Sequence, residues 1–372
     1  MINFPNKFAI CKSMQLKLLT VLSVLAAATV VQAEPYLAFR TGFKCSQCHM
    51  NRIGGGERTE FGSVYTQTSL PMPKLQDYIQ SLGGQTSFDP KLNESVTLGG
   101  NFRVEEQSIQ KYSYTDNTGK AVINRHEQAV ITEANLYLNV DLLKNFLSVY
   151  TDQTISSGGT NMREMYGMAR GLPLNSYVKV GHTLLPYGIR LMDDNAFIRS
   201  KTGYTYNRHD LAAEIGLEPG PVSLTANLTN TQFSSVGSLV FRHFRLGGSF
   251  GNSMVDARQY TFGPFLGANF GRLTVMGEMD VMKHPDKLQR AEFLELDVLA
   301  MQGVNVKATY EYFDNNVHID NKFDGQERWT FGVEPFLARF LQVGLYYRLN
   351  RLYPQAITEN QDVLTGRVQV FF

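Results

Sequence analysis

From about residue 93 to the end of the chain, apolar and polar side chains alternate in short runs broken by Gly, Pro and Asn. Within residues 135–141, Leu136, Leu138 and Val140 share one face, while Asn135, Asn139 and Asp141 share the other. Val306, Ala308, Tyr310 and Tyr312 likewise oppose Asn305, Lys307, Thr309 and Glu311. Leu341, Val343, Leu345, Tyr347 and Leu349 oppose Gln342, Arg348 and Asn350. A period of two marks a strand whose two faces meet unlike surroundings. Twelve further segments of this kind lie near 94–104, 145–155, 162–170, 176–184, 207–217, 221–230, 240–250, 258–270, 271–281, 289–301, 325–337 and 362–372. Many run to about ten residues, the length a tilted strand needs to cross a bilayer. Lys144-Asn145, Pro219-Gly220-Pro221, Gly271-Arg272, Gln302-Gly303 and Arg339-Phe340 read as tight turns, and the polar stretches 185–206 and 313–324 as long extracellular loops. The pattern predicts an all-β chain, a transmembrane barrel of about 14–16 antiparallel strands over residues 92–372.

A soluble β-sandwich also alternates, so the strand ends matter. Tyr310, Tyr312, Phe313, Tyr346, Tyr347 and Tyr353 crowd there, as in the aromatic girdle of a barrel in lipid. The chain stops on Val368-Gln369-Val370-Phe371-Phe372, with Leu364, Val368, Val370 and Phe372 on one face. That ending resembles the C-terminal recognition signal of bacterial outer-membrane proteins. It implies an outer-membrane location, with lipid as the surrounding partner.

The N-terminus reads as an address. Lys7, Lys12 and Lys17 precede an apolar run from Leu18 to Val31, which ends in Val31-Gln32-Ala33. A cationic start, a short apolar core and small residues before a cut describe a secretory signal peptide over residues 1–33. The mature chain then begins at Glu34, and Cys11 leaves with the signal. No later run is long enough for a membrane-spanning helix, so strands must do any crossing.

Composition adds exclusions. Charged residues make up 19% of the 372, below the usual ~25% of soluble domains, while 32 Gly, 18 Tyr and 24 Phe suit strands and turns. A net charge of +1 offers no basic surface, which sets nucleic acid aside.

Phe39-Arg40-Thr41-Gly42-Phe43-Lys44-Cys45-Ser46-Gln47-Cys48-His49 carries Cys-x-x-Cys-His, the attachment signal of a c-type haem. Two thiols three positions apart reach the two vinyl groups of one porphyrin, and the next residue, His49, falls under the iron as proximal ligand. Cys45 and Cys48 are thus the covalent attachment points of a single haem c in a short segment, 34–91, that plugs or caps the barrel. A thioredoxin-like pair lacks its βαβ surroundings, and a zinc site lacks two further ligands. A plain Cys45–Cys48 disulfide remains open, though it gives His49 no role. Gly54-Gly55-Gly56 lacks the Lys-Ser/Thr of a phosphate loop and reads as a turn against the haem edge. For the distal side of the iron, Met72 in Leu70-Pro71-Met72-Pro73 is one candidate. His243 and Met276 point into the lumen by strand parity, an open site is a further alternative, and His182 shares the face of Val178 and Val180.

An exported Cys-x-x-Cys-His segment fused to such a barrel resembles the fused cytochrome–porins of iron-oxidising and metal-respiring bacteria. The resemblance rests on Arg40-Thr41-Gly42, Cys45, Cys48, His49, Phe61-Gly62 and the terminal Phe372. The shorter chain and the stretch Asn51-Arg52-Ile53-Gly54-Gly55-Gly56 depart from that family. It implies electron transfer across the outer membrane between extracellular Fe(II), or another metal, and a periplasmic cytochrome. Outer-sphere transfer needs no catalytic acid or base, and none stands out. The direction of flow is not legible, because potential depends on ligation and burial. Two other readings stand beside it: a diffusion porin with a haem plug or sensor, and a sheath for a separate multihaem cytochrome.

Overall fold

The computed structural model describes residues 34–84, 87–114, 121–156, 159–253, 259–319, 324–352 and 360–372. The expected signal peptide, 1–33, lies outside them. Sixteen strands follow one another in the described chain: β1 (Val96–Tyr114), β2 (Ala121–Leu143), β3 (Leu147–Ser156), β4 (Gly159–Leu172), β5 (Ser176–Leu184), β6 (His209–Leu217), β7 (Val222–Thr229), β8 (Gln232–Val240), β9 (Phe244–Ser253), β10 (Tyr260–Phe270), β11 (Leu273–Lys283), β12 (Leu288–Met301), β13 (Val304–Asp314), β14 (Gly325–Ala338), β15 (Leu341–Leu352) and β16 (Gln361–Phe371). Each pairs antiparallel with its sequence neighbours, and β1 pairs with β16 from Asn101 opposite Phe371 to Lys111 opposite Gln361. A sheet closed on itself leaves no strand edge unpaired in lipid.

The alternation sorts residues between lumen and membrane. On β12, Gln289, Ala291, Phe293, Glu295 and Asp297 face inward and are buried, while Leu294, Leu296 and Val298 face out. Leu211, Leu266 and Leu345 extend the outer apolar band around the wall. This belt on a closed barrel places the chain in the outer membrane.

Two strand expectations need correction. β8 falls between the expected segments 221–230 and 240–250, because Ser234, Ser235, Gly237 and Ser238 give it little hydropathy contrast. β1 and β2 run to 19 and 23 residues, well beyond the expected 94–104 and 135–141. Their outer parts, such as Glu105–Gln107 and Arg125–Gln128, carry polar residues on both faces.

The seven connections after even-numbered strands are short, from 144–146 to 339–340, and share an end with the start of β1 and the finish of β16. Short turns and both barrel termini mark the periplasmic end. There the N-terminal segment packs as four helices: α1 (Pro35–Thr41), α2 (Cys45–Cys48), α3 (Glu60–Ser69) and α4 (Pro73–Ser81). α1 lies deepest, with Tyr36 fully buried and Phe39 against Phe265 and Met276 of the wall. Burying each such ring stabilises by roughly 1.5–3 kcal/mol.

The stretch 185–206 is not the extracellular loop its polarity suggested. It runs back into the lumen, burying Leu185, Tyr187, Ile189, Leu191, Phe197 and Ile198 and forming α5 (Phe197–Ser200). Its apolar residues have neither strand nor helix period, which hid them. Wall carboxylates hold it: Glu278 accepts from the Ile189 N–H at 2.6 Å and pairs with Arg199, and Glu311 accepts from the Phe197 N–H at 2.7 Å. Plug and inward loop meet inside the barrel, and the candidate site lies where they meet.

Candidate haem site

The motif is shaped by one helical turn and one arch. α2 places Cys45 and Cys48 three residues apart on one face. The His49 N–H closes the turn on the Cys45 carbonyl at 2.9 Å, and His49 leaves in an extended conformation. The chain then folds back, His49 bridging Arg58 in antiparallel fashion, with the Met50 N–H donating to the Glu57 carbonyl at 2.9 Å. Gly54, Gly55 and Gly56 form the arch with φ of 97°, 81° and 65°, three successive left-handed residues that side chains rarely tolerate. The run is therefore a conformational requirement.

The wall anchors this loop. Glu218, in the turn between β6 and β7, accepts from Ser46 Oγ at 2.7 Å and pairs with Arg52 at 2.8 Å. Lys44 Nζ donates to the Glu218 and Val222 carbonyls at 2.9 and 2.6 Å. Asn51, fully buried, donates from Nδ2 to both Glu164 oxygens at 2.9 Å. Nothing in the sequence singled out Glu218 or Glu164.

Cys45, Cys48 and His49 open into one cleft of about 1250 Å³, its mouth included, between the plug, the inward loop and the wall. Leu37, Phe39, Ile53, Val236 and Phe265 line it with apolar surface, and Tyr65, Tyr187 and Tyr206 add hydroxyls. Arg52, Arg58, Arg190 and Arg245 supply cations. His49 is 5% exposed, and its Nδ1 is buried without a hydrogen-bond partner. Burial first, then the positive Arg58, pushes its pKa down to about 3, leaving the neutral imidazole that serves as a metal ligand. Burial raises the Cys48 thiol to about 11. The donor set fits a haem c: two thiols on one face, a neutral buried imidazole beside them, apolar walls for the porphyrin, and cations for its two carboxylates.

The distal candidates fall elsewhere. Met72 caps the start of α4, donating its N–H to the Phe336 carbonyl at 2.9 Å beside Gly303, and does not line the cleft. Met276 is fully buried among Tyr36 and Phe39, outside the lining. His243 is exposed in the turn between β8 and β9, and His182 pairs with Leu211 and Met165, both on the lipid side.

Gly62 has a steric role. It sits in the first turn of α3 against Cys48, and an added Cβ would overlap the Cys48 carbonyl oxygen. Gly62→Ala is expected to destabilise the plug by about 1–3 kcal/mol, the range for overpacking. It should lower the haem-to-protein ratio, read from absorbance of purified protein. An unchanged ratio and unchanged protease resistance of the plug would remove this role.

The chain matches no sequence-family profile and no curated protein. Among solved structures it is similar to OmpT, an outer-membrane protein of Vibrio cholerae, at 12% identity and a TM-score of 0.54, covering 76% of this chain and 99% of that one. It is also similar to an anion-selective porin from Comamonas acidovorans, at 13% identity and a TM-score of 0.54, covering 75% and 99%. The likeness is one of fold. The shared barrel is of the outer-membrane porin type.

Proposed function

We propose that this protein is an outer-membrane electron conduit, in which one haem c held by Cys45, Cys48 and His49 sits inside the lumen. The observation that carries the reading is that these three side chains open into a single lumen cleft, with the imidazole buried. When bound, haem c supplies a one-electron Fe(III)/Fe(II) couple. The apolar band of such a barrel is about 25 Å tall, so a haem at either rim leaves most of it uncrossed, whereas one in the lumen divides the distance.

The chain's own residues extend the route on both sides. Towards the periplasm, Phe43 and Tyr65 line the cleft and pack on Phe61, their ring centroids 5.2 and 6.3 Å from its own, and Phe61 is 47% exposed. A periplasmic cytochrome would meet the protein there. Towards the outside, Tyr187 lines the cleft and stacks on Tyr204 at 4.3 Å. The extracellular partner is a metal, and Fe(II) is the donor that the resemblance implies.

One observation favours a second reading, a diffusion porin with a haem plug. A polar vestibule of about 2270 Å³, open space included, runs from Arg351 and Gln361 near the outer rim to Glu34 at the plug.

The test of the first reading is a haem stain on a denaturing gel of the outer-membrane fraction. The wild-type chain is expected to stain at its own size, and Cys45→Ala/Cys48→Ala to lose the stain completely at equal protein. An unstained wild-type band from cells able to attach haem c sinks the reading.

A further inference from the structure

Among the described residues, seven Lys and Arg side chains are buried: Arg58, Arg103, Arg163, Lys179, Arg199, Arg245 and Arg328. Five have a carboxylate within ion-pair distance: Arg103 with Glu133 at 3.4 Å, Lys179 with Glu214 at 2.9 Å, Arg328 with Glu311 at 2.6 Å, Arg163 with Asp152, and Arg199 with Glu278. This is the pairing that burial demands, since a lone buried charge costs several kcal/mol. Arg58 and Arg245 have no carboxylate in that range, and both line the cleft. Arg190 lines it too, its Nε buried without a partner.

The three differ in place rather than in pairing: Arg245 Nε is also buried without a partner, but Arg58 bridges His49 and Arg190 packs against Gly54 and Gly55 of the arch beside it. Arg245 stacks on Phe39 with its guanidinium 5.1 Å from the ring centroid and donates from Nη2 to the Phe43 carbonyl at 2.5 Å. Arg58, 4% exposed, is held by its bridge to His49 and by a cation–π contact with Phe371 at 5.8 Å, and its guanidinium makes no hydrogen bond to a described residue. Arg190 stacks over the Tyr206 ring at 4.6 Å and donates from Nη2 to the Tyr206 carbonyl at 2.7 Å, leaving its other N–H groups available. Both Arg58 and Arg190 are the cations that act on His49.

We propose that Arg58 and Arg190 are the socket for the two carboxylates of the haem, orienting it in the cleft with its carboxylate edge towards the inward loop. The inference rests on the haem reading above. A guanidinium presents a planar fork matched to a carboxylate, and Lys keeps the charge without the fork. Both arginines are positioning residues, since neither touches the iron. Their positive charge also favours the reduced, less positive haem.

The experiment uses the full-length protein purified from the outer membrane, first assayed for covalent haem as its pyridine haemochrome. Resonance Raman spectra and optical redox titrations then compare wild type with Arg58→Gln, Arg58→Lys and Arg190→Gln. In the two Gln variants the low-frequency propionate bending band is expected to shift. At a fixed poise the ferrous-to-ferric ratio is expected to fall about tenfold, which for one electron is 59 mV. Arg58→Lys should recover the ratio but not the band. Haem-loaded Gln variants with both readouts unchanged overturn the socket alone. Wild-type protein without covalent haem overturns both the socket and the reading beneath it. If Arg58→Gln fails to fold, Arg58→Lys and Arg190→Gln decide.

Discussion

Removal of residues 34–91 is expected to convert a barrel that passes little ion current into an open pore. In planar bilayers the single-channel conductance should rise at least about tenfold, because sixteen-stranded barrels leave an aqueous channel unless something fills it. Here the plug fills the lumen beneath the inward loop, with Tyr36 and Phe39 packed on the wall and α4 tied to the β14–β15 turn through Gln76, which accepts from the Arg339 N–H at 3.1 Å. The ring of strand pairs closes from β1 to β16 without the plug, so the barrel should still assemble and keep its heat-modifiable migration. If the full-length protein already conducts like the truncated one, the plug is not the obstruction and the diffusion reading takes the lead. A low full-length conductance that rises on truncation supports the conduit.

His49→Ala should have the larger effect on the cofactor. On the proposed reading, Cys45 and Cys48 would still hold the haem in this variant, but its imidazole ligand would be lost. Axial ligands move haem potentials over a range of about 0.8 V, so a shift on the order of 0.1 V or more is expected in a redox titration. The visible spectrum should change with it, and added free imidazole should restore the wild-type bands in part. The cleft has room for that rescue only if the site opens where the side chain was. Unaltered bands and potential in the variant would exclude His49 as the ligand.

Much of the barrel was legible because its information is local. Period-two alternation survives any tertiary arrangement, so β12 and β13 could be placed without knowing their neighbours. β8 could not, since serine and glycine give a strand no apolar face to read. The Cys-x-x-Cys-His run is local too. The rest of its setting is not: Thr225, Arg190 and Phe265 reach the cleft from three separate stretches of chain, and no spacing links them. Met72 shows the opposite failure. Its flanking prolines looked like a device for holding a thioether, yet Pro73 occupies the first position of α4, where a missing N–H costs nothing, and the segment serves to start that helix. The inward course of 185–206 was hidden because burying a loop depends on what the wall opposite offers, here Glu278 and Glu311.

The cleft is walled on one side by the plug and on the other by strand residues such as Thr225, Val236 and Phe265. Those strands pair through neighbouring hairpins, but the ring that encloses the plug against them closes only when β16 meets β1. If Cys45 and Cys48 carry a haem as proposed, attachment before that closure would meet the motif while it is still fully accessible. On that reading, haem attachment would precede barrel insertion. The β1–β16 seam would then set the order of assembly, since the plug is enclosed by the wall once that last pair of strands forms.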